Sequence, residues 1–300
     1  MIIKVLIFGS GSIAQRHYSI LKKIKKISEV KLYTKRKITT FSKIDKLNQI
    51  FKYNPNYFII ANKTSQHFET LKFIEENFEK KLILIEKPIF NFYKKININK
   101  NQVFVGYDLR FHPIILKIKK LISNKKINSV EIICNSYLPN WRKNIKYYNS
   151  YSSSKKFGGG VLLDLSHELD YTQYLFGNYN IISALNKKIS NLKITSDDYL
   201  NLLLINKAKT YINISINYYS KINTRIININ GDNISLKADL IKNTLEVFTN
   251  KYKLYKFKVD RDYTFKFQHK HILTNNKKYV ASYLDGIKVL KNIDNIRKFK

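Results

Sequence analysis

Cysteine is all but absent: Cys134 stands alone in 300 residues. That excludes an intrachain disulfide and any cysteine-based zinc site. Long apolar runs are missing too, none approaching the roughly 18 residues that a membrane span requires. The opening Met1-Ile2-Ile3-Lys4-Val5-Leu6-Ile7-Phe8 is too short for the apolar core of a signal peptide, and it runs directly into a glycine turn. A soluble, cytoplasmic protein without a membrane partner is the expectation. Arginine is scarce as well. Only 7 of the 55 basic residues are Arg, whereas bidentate recognition of phosphates or bases favours Arg over Lys. A formal charge of +34 would otherwise point to nucleic acid. The lysines, however, run through the whole chain alongside an excess of Ile, Asn, Tyr and Phe, the residues that A/T-rich codons encode. Biased genome composition explains the charge more simply. No specific nucleic-acid partner is expected, only non-specific adhesion to polyanions.

What the chain does hold is core-forming material: 44% hydrophobic and 14% aromatic residues, too much for disorder and enough for two domains. Ile2 to Phe8 reads as a buried strand. Gly9-Ser10-Gly11-Ser12-Ile13-Ala14 follows at once, then a helical pattern through Ile13, Ile20, Leu21, Ile24 and Ile27. Strand, G-x-G-x-x-A and helix are the context of a dinucleotide fingerprint. Gly9 permits the tight turn, Gly11 lets the backbone approach a pyrophosphate, and Ala14 allows close helix–strand packing. The helix start then favours the diphosphate. The second strand, Val30 to Tyr33, ends at Thr34-Lys35-Arg36, where an NAD site commonly carries an acidic residue for the ribose 2′-hydroxyl. A hydroxyl and two cations suit a 2′-phosphate, so NADP is favoured over NAD.

Ser42 to Tyr53 carries a helical pattern through Ile44, Leu47, Ile50 and Phe51, and Tyr57 to Ala61 reads as the third strand. A helix with Leu71, Phe73, Ile74 and Phe78 leads to the fourth, Leu82 to Ile85, whose four consecutive aliphatic residues read as buried on both faces. Gln102 to Tyr107 is the fifth. The alternation predicts an α/β fold whose N-terminal domain, residues 1–117, is a doubly wound parallel sheet of Rossmann type. Glu86-Lys87-Pro88 follows the fourth strand, where proline turns the chain out of the sheet and where ligands of open α/β sheets bind.

The second half reads as an α+β domain, residues 118–300. Pro113 is placed to open a helix with an apolar face of Ile114, Ile115, Ile118, Leu121 and Ile122, and Ser129 to Ser136 is strand-like. In the Tyr137–Arg142 loop, an aromatic face beside amide and guanidinium donors suits a sugar or an anionic ligand. An interdomain packing loop is an equal reading for Trp141. In a chain with 9 Gly, Gly158-Gly159-Gly160 marks special backbone geometry or close ligand approach. A helix over the next residues puts Asp164 and His167, three apart, on one face, with Asp170 on the same stripe. A His with a carboxylate one turn away can be held in one tautomer and accept a proton near neutral pH. From Ile181 onward, short alternating runs separated by turns such as Asn230-Gly231-Asp232-Asn233 predict an open, mostly antiparallel sheet with one face covered by helices. Two C-terminal helical stretches, 263–273 and 279–296, follow. The exposed sheet face is a natural surface for a homo-oligomer. His269 and His271 read as surface residues, and no carboxylate or His cluster has ligand spacing, so no metal is expected.

Gly9–Ala14 on the first turn, Ala61-Asn62-Lys63-Thr64-Ser65-Gln66-His67 after the third strand and Glu86-Lys87-Pro88 after the fourth resemble the Gfo/Idh/MocA family of oxidoreductases. Lys63 stands where proline is usual. The Gly-Gly-x…Asp…His…Asp segment resembles the family too, with Asp164 and His167 one residue closer than in the commoner form. The resemblance is specific over residues 1–176 and architectural beyond. It implies that Lys87 lies beside the nicotinamide and the reacting carbon, and that Asp164 and His167 line the substrate pocket. Asn62, Thr64, His67, Glu86 and Lys87 then join Gly9 to Ala14 and Thr34 to Arg36 as cofactor-binding candidates. Arg110, Trp141, Arg142, Tyr148 and His167 are the substrate-binding candidates, and Lys87, His167 and Asp164 the catalytic ones.

The function implied is hydride transfer between NADP or NAD and a hydroxyl or carbonyl carbon of a sugar, cyclitol or sugar derivative, with Lys87 or His167 moving the proton. The Tyr137–Arg142 loop and Ser166-His167-Glu168 resemble a branch associated with surface-polysaccharide and nonulosonic-type sugars. Two rival readings are a glycosidase working by transient oxidation and elimination, and a non-catalytic NADP-binding sensor.

Overall fold

The computed structural model describes residues 3–142 and 145–299. Ile2, with which the first predicted strand opens, and Met1 and Lys300, the outer bounds of the two predicted domains, lie outside them. The chain divides into two compact units, Met1–Asp108 with Asp262–Leu290, and Leu109–Arg261 with Lys291–Lys300.

The first unit alternates strand and helix: β1 (Ile3–Phe8), α1 (Ser12–Leu21), β2 (Ile27–Tyr33), β3 (Lys43–Ile44), α2 (Leu47–Tyr53), β4 (Tyr57–Ile60), α3 (His67–Asn77), β5 (Leu82–Ile85) and β6 (Gln102–Val105). The strands lie in the order β3-β2-β1-β4-β5-β6, parallel throughout, and Ala281–Ser282 closes the sheet antiparallel to β6. That is the doubly wound order with its reversal between β1 and β4. Successive residues of a strand face opposite sides of a sheet, and β4 shows both being covered. Phe58 joins Phe8, Phe73 and Phe78, while Tyr57 faces His269 on the helix Tyr263–Leu273. Ile83, Leu84 and Ile85 are fully buried, as the aliphatic run predicts.

Two stretches differ from the periodicity. Ile27, counted on the apolar face of the first helix, begins β2 instead, since the helix stops at Leu21. The pattern over 42–53 is helical only from Leu47. Lys43 and Ile44 pair with Leu32 and Tyr33, and the Gln49 side chain accepts the backbone N–H groups of Asp45 and Lys46 at 3.3 and 3.2 Å. Edge-strand pairing therefore takes Ile44, and a cap sets the helix start.

The second unit holds α4 (Pro113–Ile122), β7 (Ile127–Tyr137), α5 (Val161–Asp164), α6 (His167–Phe176), β8 (Tyr179–Lys187), β9 (Tyr199–Asn206), β10 (Tyr211–Asn217), β11 (Tyr219–Gly231), β12 (Ile234–Asp239), β13 (Thr244–Phe248) and β14 (Tyr252–Lys256). The eight-stranded sheet runs β14-β13-β12-β11-β7-β10-β9-β8. Only the β7–β10 pair is parallel. Alternate residues such as Leu200, Leu202, Leu204, Ile212, Ile214 and Ile216 are buried, whereas Tyr211, Phe248, Tyr252 and Leu254 are exposed. Among the described residues no helix is long and apolar enough to cross a membrane.

His112 caps α4, its Nδ1 accepting the Ile114 N–H at 3.3 Å, with Pro113 in the first turn as predicted. Burial pushes this imidazole down to about 4 from 6.5, against the hydrogen bond that its Nε2 donates to Asn243 Oδ1, which favours the charge, and with Arg225 opposing the charge. The unfolded chain therefore binds a proton at His112 in a window where the folded chain does not. Stability is unaffected above the ordinary value and is lost as pH falls toward the folded one. Urea unfolding should show a smaller loss of stability across that window in His112→Asn, which keeps a capping side chain, than in the natural protein.

Candidate active site

The carboxyl edge of the parallel sheet follows from register. Tyr33, Phe8, Ile60, Ile85 and Val105 pair across β2, β1, β4, β5 and β6. The next residues, Thr34, Gly9, Ala61, Glu86 and Gly106, therefore form one row. The ladder continues into this row: Gly9 N–H donates to Tyr33 O at 3.1 Å, Ala61 to Phe8 O at 2.9 Å, Glu86 to Ile60 O at 2.9 Å and Gly106 to Ile85 O at 2.7 Å. The glycine-turn residues and Glu86-Lys87 thus lie on a single edge of one sheet.

At the turn, Gly9 has φ +114°, and a Cβ there would stand 2.6 Å from the Ala61 carbonyl oxygen, so only glycine fits. Gly11 is the N-cap of α1 and faces open space, with nothing within 4 Å of where a Cβ would be. Ser12 and Gly11 are exposed, Ile13 is half-buried and Ala14 is buried against the sheet. The Thr34 hydroxyl donates to Ser10 Oγ at 3.1 Å and accepts the Arg36 N–H at 3.2 Å, while Lys35 and Arg36 are exposed. Asn62 donates to Thr70 Oγ1 at 2.9 Å, and its Oδ1 is buried without a hydrogen-bond partner. An open helix start, an orphaned acceptor and a cationic strand end fit a nicotinamide dinucleotide. Thr64, half-buried, opens a 3-10 turn. His67 is buried and braces the loop after β5, with Nδ1 3.2 Å from both Pro88 O and Ile89 O and Nε2 3.3 Å from Asn62 O. Burial holds its imidazole below the ordinary range.

Glu86 is buried, with Oε1 2.9 Å from His17 Nε2 and Oε2 accepting the Lys87 N–H at 3.3 Å. Lys87 is half-buried, and its bond to Pro88 is cis. Asp108, also buried, accepts the Thr264 hydroxyl. Burial pushes its carboxyl up and Thr264 draws it down; the Glu86 charge adds to the first effect, Arg16 and Lys87 to the second.

In the second unit, Asp164 closes α5 and His167 opens α6. One continuous helix was the expectation; the chain breaks at Leu165 (φ −103°, ψ 33°), so helical spacing does not relate the pair. Tyr218 donates to Asp164 Oδ2 at 2.6 Å, and Tyr151 also hydrogen-bonds Asp164. Burial, then the Asp164 charge, pushes the Tyr218 hydroxyl well up; for Tyr151 the Asp164 charge leads. Both therefore donate rather than ionise. Trp141 sits edge-on to Tyr218 at 5.0 Å, and the Arg142 guanidinium lies 5.1 Å from the Tyr151 ring. Asp164, Trp141, Arg142, Tyr151 and Tyr218 thus form one cluster. Tyr148 is exposed and meets Tyr147 edge-on. Arg110 is buried, its Nε and Nη2 on the Asp170 carboxylate at 2.9 and 2.7 Å.

The periodicity misplaced one residue outright. His269 was read as a surface residue and is fully buried, between His17 Nδ1 at 2.9 Å and the Tyr57 hydroxyl at 3.0 Å. The available signal was position: His17 shares a stripe with Ala14, Tyr18 and Leu21, and His269 with Phe265 and Ile272, all buried. Tyr151, Tyr218 and Asp108 were also missed, and nothing in their local sequence marks them. Among the described residues, no group of three or more His, Cys, Asp or Glu is arranged to hold a metal ion.

The profile described as "Oxidoreductase family, C-terminal alpha/beta domain" matches residues 119–296. Among solved structures, the chain is similar to levoglucosan dehydrogenase in complex with NADH, with TM-score 0.84 and 15% identity over 99% of this chain and 96% of that one. It is similar to UDP-N-acetylglucosamine 3-dehydrogenase from Acidithiobacillus ferrooxidans, with TM-score 0.76 and 14% identity over 99% and 97%. An oxidoreductase from Agrobacterium radiobacter, in complex with NAD+, L-tartaric acid and magnesium, gives TM-score 0.79 and 15% identity over 98% and 95%. At such identities the likeness is one of fold. No curated protein matches the sequence.

In the second unit, the Arg110–Asp170 pair has a role that stability can read. Asp170→Ala strips a buried guanidinium of its carboxylate, a change that costs about 3–5 kcal/mol. Urea unfolding should show that loss.

Proposed function

The chain belongs to the Gfo/Idh/MocA oxidoreductase family, and we propose from that premise that it passes a hydride between a nicotinamide dinucleotide and a hydroxyl or carbonyl carbon of a sugar, cyclitol or sugar derivative. The observation that carries this reading is the single row Thr34, Gly9, Ala61, Glu86 and Gly106 on the carboxyl edge of the sheet. It sets a dinucleotide turn and Lys87 on the same rigid edge. Two fold neighbours named for sugar substrates, levoglucosan and UDP-N-acetylglucosamine, support the substrate class, and the second supports a nucleotide sugar.

When bound, the cofactor supplies or accepts the hydride. The protein's part is binding, orientation and proton handling. The N–H groups at the start of α1 hold the diphosphate, and the missing Cβ of Gly11 leaves room for it. Thr34, Lys35 and Arg36 take the adenine-side ribose, with the two cations favouring a 2′-phosphate and hence NADP. Asn62 offers its orphaned Oδ1, and His67 braces the Pro88–Ile89 backbone. Lys87 donates to the reacting oxygen and stabilises alkoxide charge as it develops. His167 carries the proton to or from that oxygen, or shares the task with Lys87. Asp164, charged and fed by two tyrosine hydroxyls, accepts from a substrate hydroxyl, with Trp141, Arg142 and Tyr148 on the rest of the ligand. A homo-oligomer, with a second copy on the open sheet face carrying Tyr211, Phe248 and Tyr252, is part of the same reading.

Removing the Lys87 donor (Lys87→Ala) should lower kcat by about 100-fold or more while the dissociation constant for the dinucleotide, followed by fluorescence titration, holds. Unchanged turnover would sink the assignment. Losing a charge-assisted contact in Arg36→Ala should raise the KM for NADP by roughly ten- to a hundredfold and leave that for NAD as it was. An equal effect on both cofactors would remove Arg36 from the 2′-phosphate.

A further inference from the structure

Tyr57 opens β4 and Glu86 follows β5. Tyr57 pairs with Leu82 and Ile60 with Ile85, and Glu86 lies four residues beyond Leu82, so Tyr57 and Glu86 point to the same side of the sheet. Four residue steps separate them along the strands, about 13 Å, too far for contact. Two helices close the gap. α1 brings His17, and the Tyr263–Leu273 helix brings His269, both without solvent exposure. The Tyr57 hydroxyl lies 3.0 Å from His269 Nδ1, His269 Nε2 lies 2.9 Å from His17 Nδ1, and His17 Nε2 lies 2.9 Å from Glu86 Oε1. No other hydrogen bond to these three side chains occurs among the described residues.

The ends of this chain fix its direction. Burial, then the Glu86 charge, holds the Tyr57 hydroxyl well above its ordinary range, so it keeps its proton. A buried hydroxyl with one neighbour must donate to it, which makes His269 Nδ1 an acceptor. Burial, then His17, holds the His269 imidazole well below its ordinary range, so it is neutral and its one proton is on Nε2. That proton goes to His17 Nδ1, which leaves the His17 proton on Nε2, pointing at a carboxylate that can only accept. We propose that Tyr57, His269 and His17 are positioning residues, three hydrogen bonds running one way that lock both imidazoles as Nε2–H tautomers and hold Glu86 as a fixed acceptor for the Lys87 backbone. Packing confines the same oxygen: a Cβ on Gly106 would come within 2.8 Å of Glu86 Oε1. A carboxylate held in this way sets where the chain leaves β5, and hence the base from which the Lys87 side chain extends.

The kinetic consequence rests on the reading of Lys87 as the donor to substrate; the tautomer assignment does not. In the whole chain labelled with 15N-histidine, His17 and His269 should both show protonated Nε2 and bare Nδ1. Tyr57→Phe removes one hydroxyl and keeps the ring. It should shift the His269 pattern toward Nδ1–H and also perturb His17, which never touches Tyr57. It should lower kcat about three- to tenfold, with the KM for the dinucleotide unchanged, whereas His269→Gln, which keeps a donor for His17, should retain more activity than His269→Phe. An imidazolium at His17, an Nδ1–H tautomer at either histidine, or a Tyr57→Phe protein with unaltered His17 signals and kcat would overturn the proposal. Full turnover in Lys87→Ala would instead overturn the reading of Lys87 and leave the tautomer result to stand by itself.

Discussion

A carboxylate buried at the end of a buried strand is the constraint on which the first unit turns. A carboxyl group beneath the surface needs hydrogen-bond partners, because burying a polar group without them costs several kcal/mol. The two oxygens of Glu86 are met by His17 Nε2 and the Lys87 N–H. Each of those needs something further. His17 must present a proton on the correct nitrogen, which fixes α1 and the Tyr263–Leu273 helix relative to the sheet, and Gly106 must lack a side chain. A residue 252 positions beyond His17 is thereby drawn into the core of the same unit. The Rossmann sheet supplies the edge, and the carboxylate determines what is packed around it.

The second unit handles buried carboxylates in the same way, each with its own donor. Asp164 takes the Tyr218 hydroxyl, Glu168 lies 2.7 Å from Arg225 Nη2, and Asp170 holds Arg110. The chain is heavily basic, yet 21 acidic residues include several that are almost wholly buried. Most of the positive charge is lysine spread along the chain, with no shared task.

Much of this was legible in the sequence. The aliphatic run Leu82 to Ile85, the glycine turn after β1 and the alternating strands from Tyr179 onward are set by neighbours a few residues apart, so periodicity reports them directly. The positions of Gly9, Thr34 and Glu86 on one edge followed, because parallel register ties strand ends together. The break at Leu165 was not legible, since Val161–Asp164 and His167–Phe176 have compatible helical patterns and only backbone geometry separates them. Nor was the pairing of His17 with His269. A lone imidazole on an apolar stripe signals that a partner exists without saying which. Tyr151 and Tyr218 converge on Asp164 from distant segments, and aromatic residues are too common in this chain for either to stand out.

Hydride transfer between a nicotinamide dinucleotide and a sugar carbon is tested by a cofactor-resolved screen. NAD(H) and NADP(H) are offered with a panel of sugars, cyclitols and nucleotide sugars, and both cofactor absorbance and product identity are recorded. The account predicts a change in cofactor absorbance matched mole for mole by an oxidised or reduced sugar, larger with NADP(H). Release of a free sugar with no net change in the cofactor, or tight cofactor binding with no product from any substrate, would contradict it.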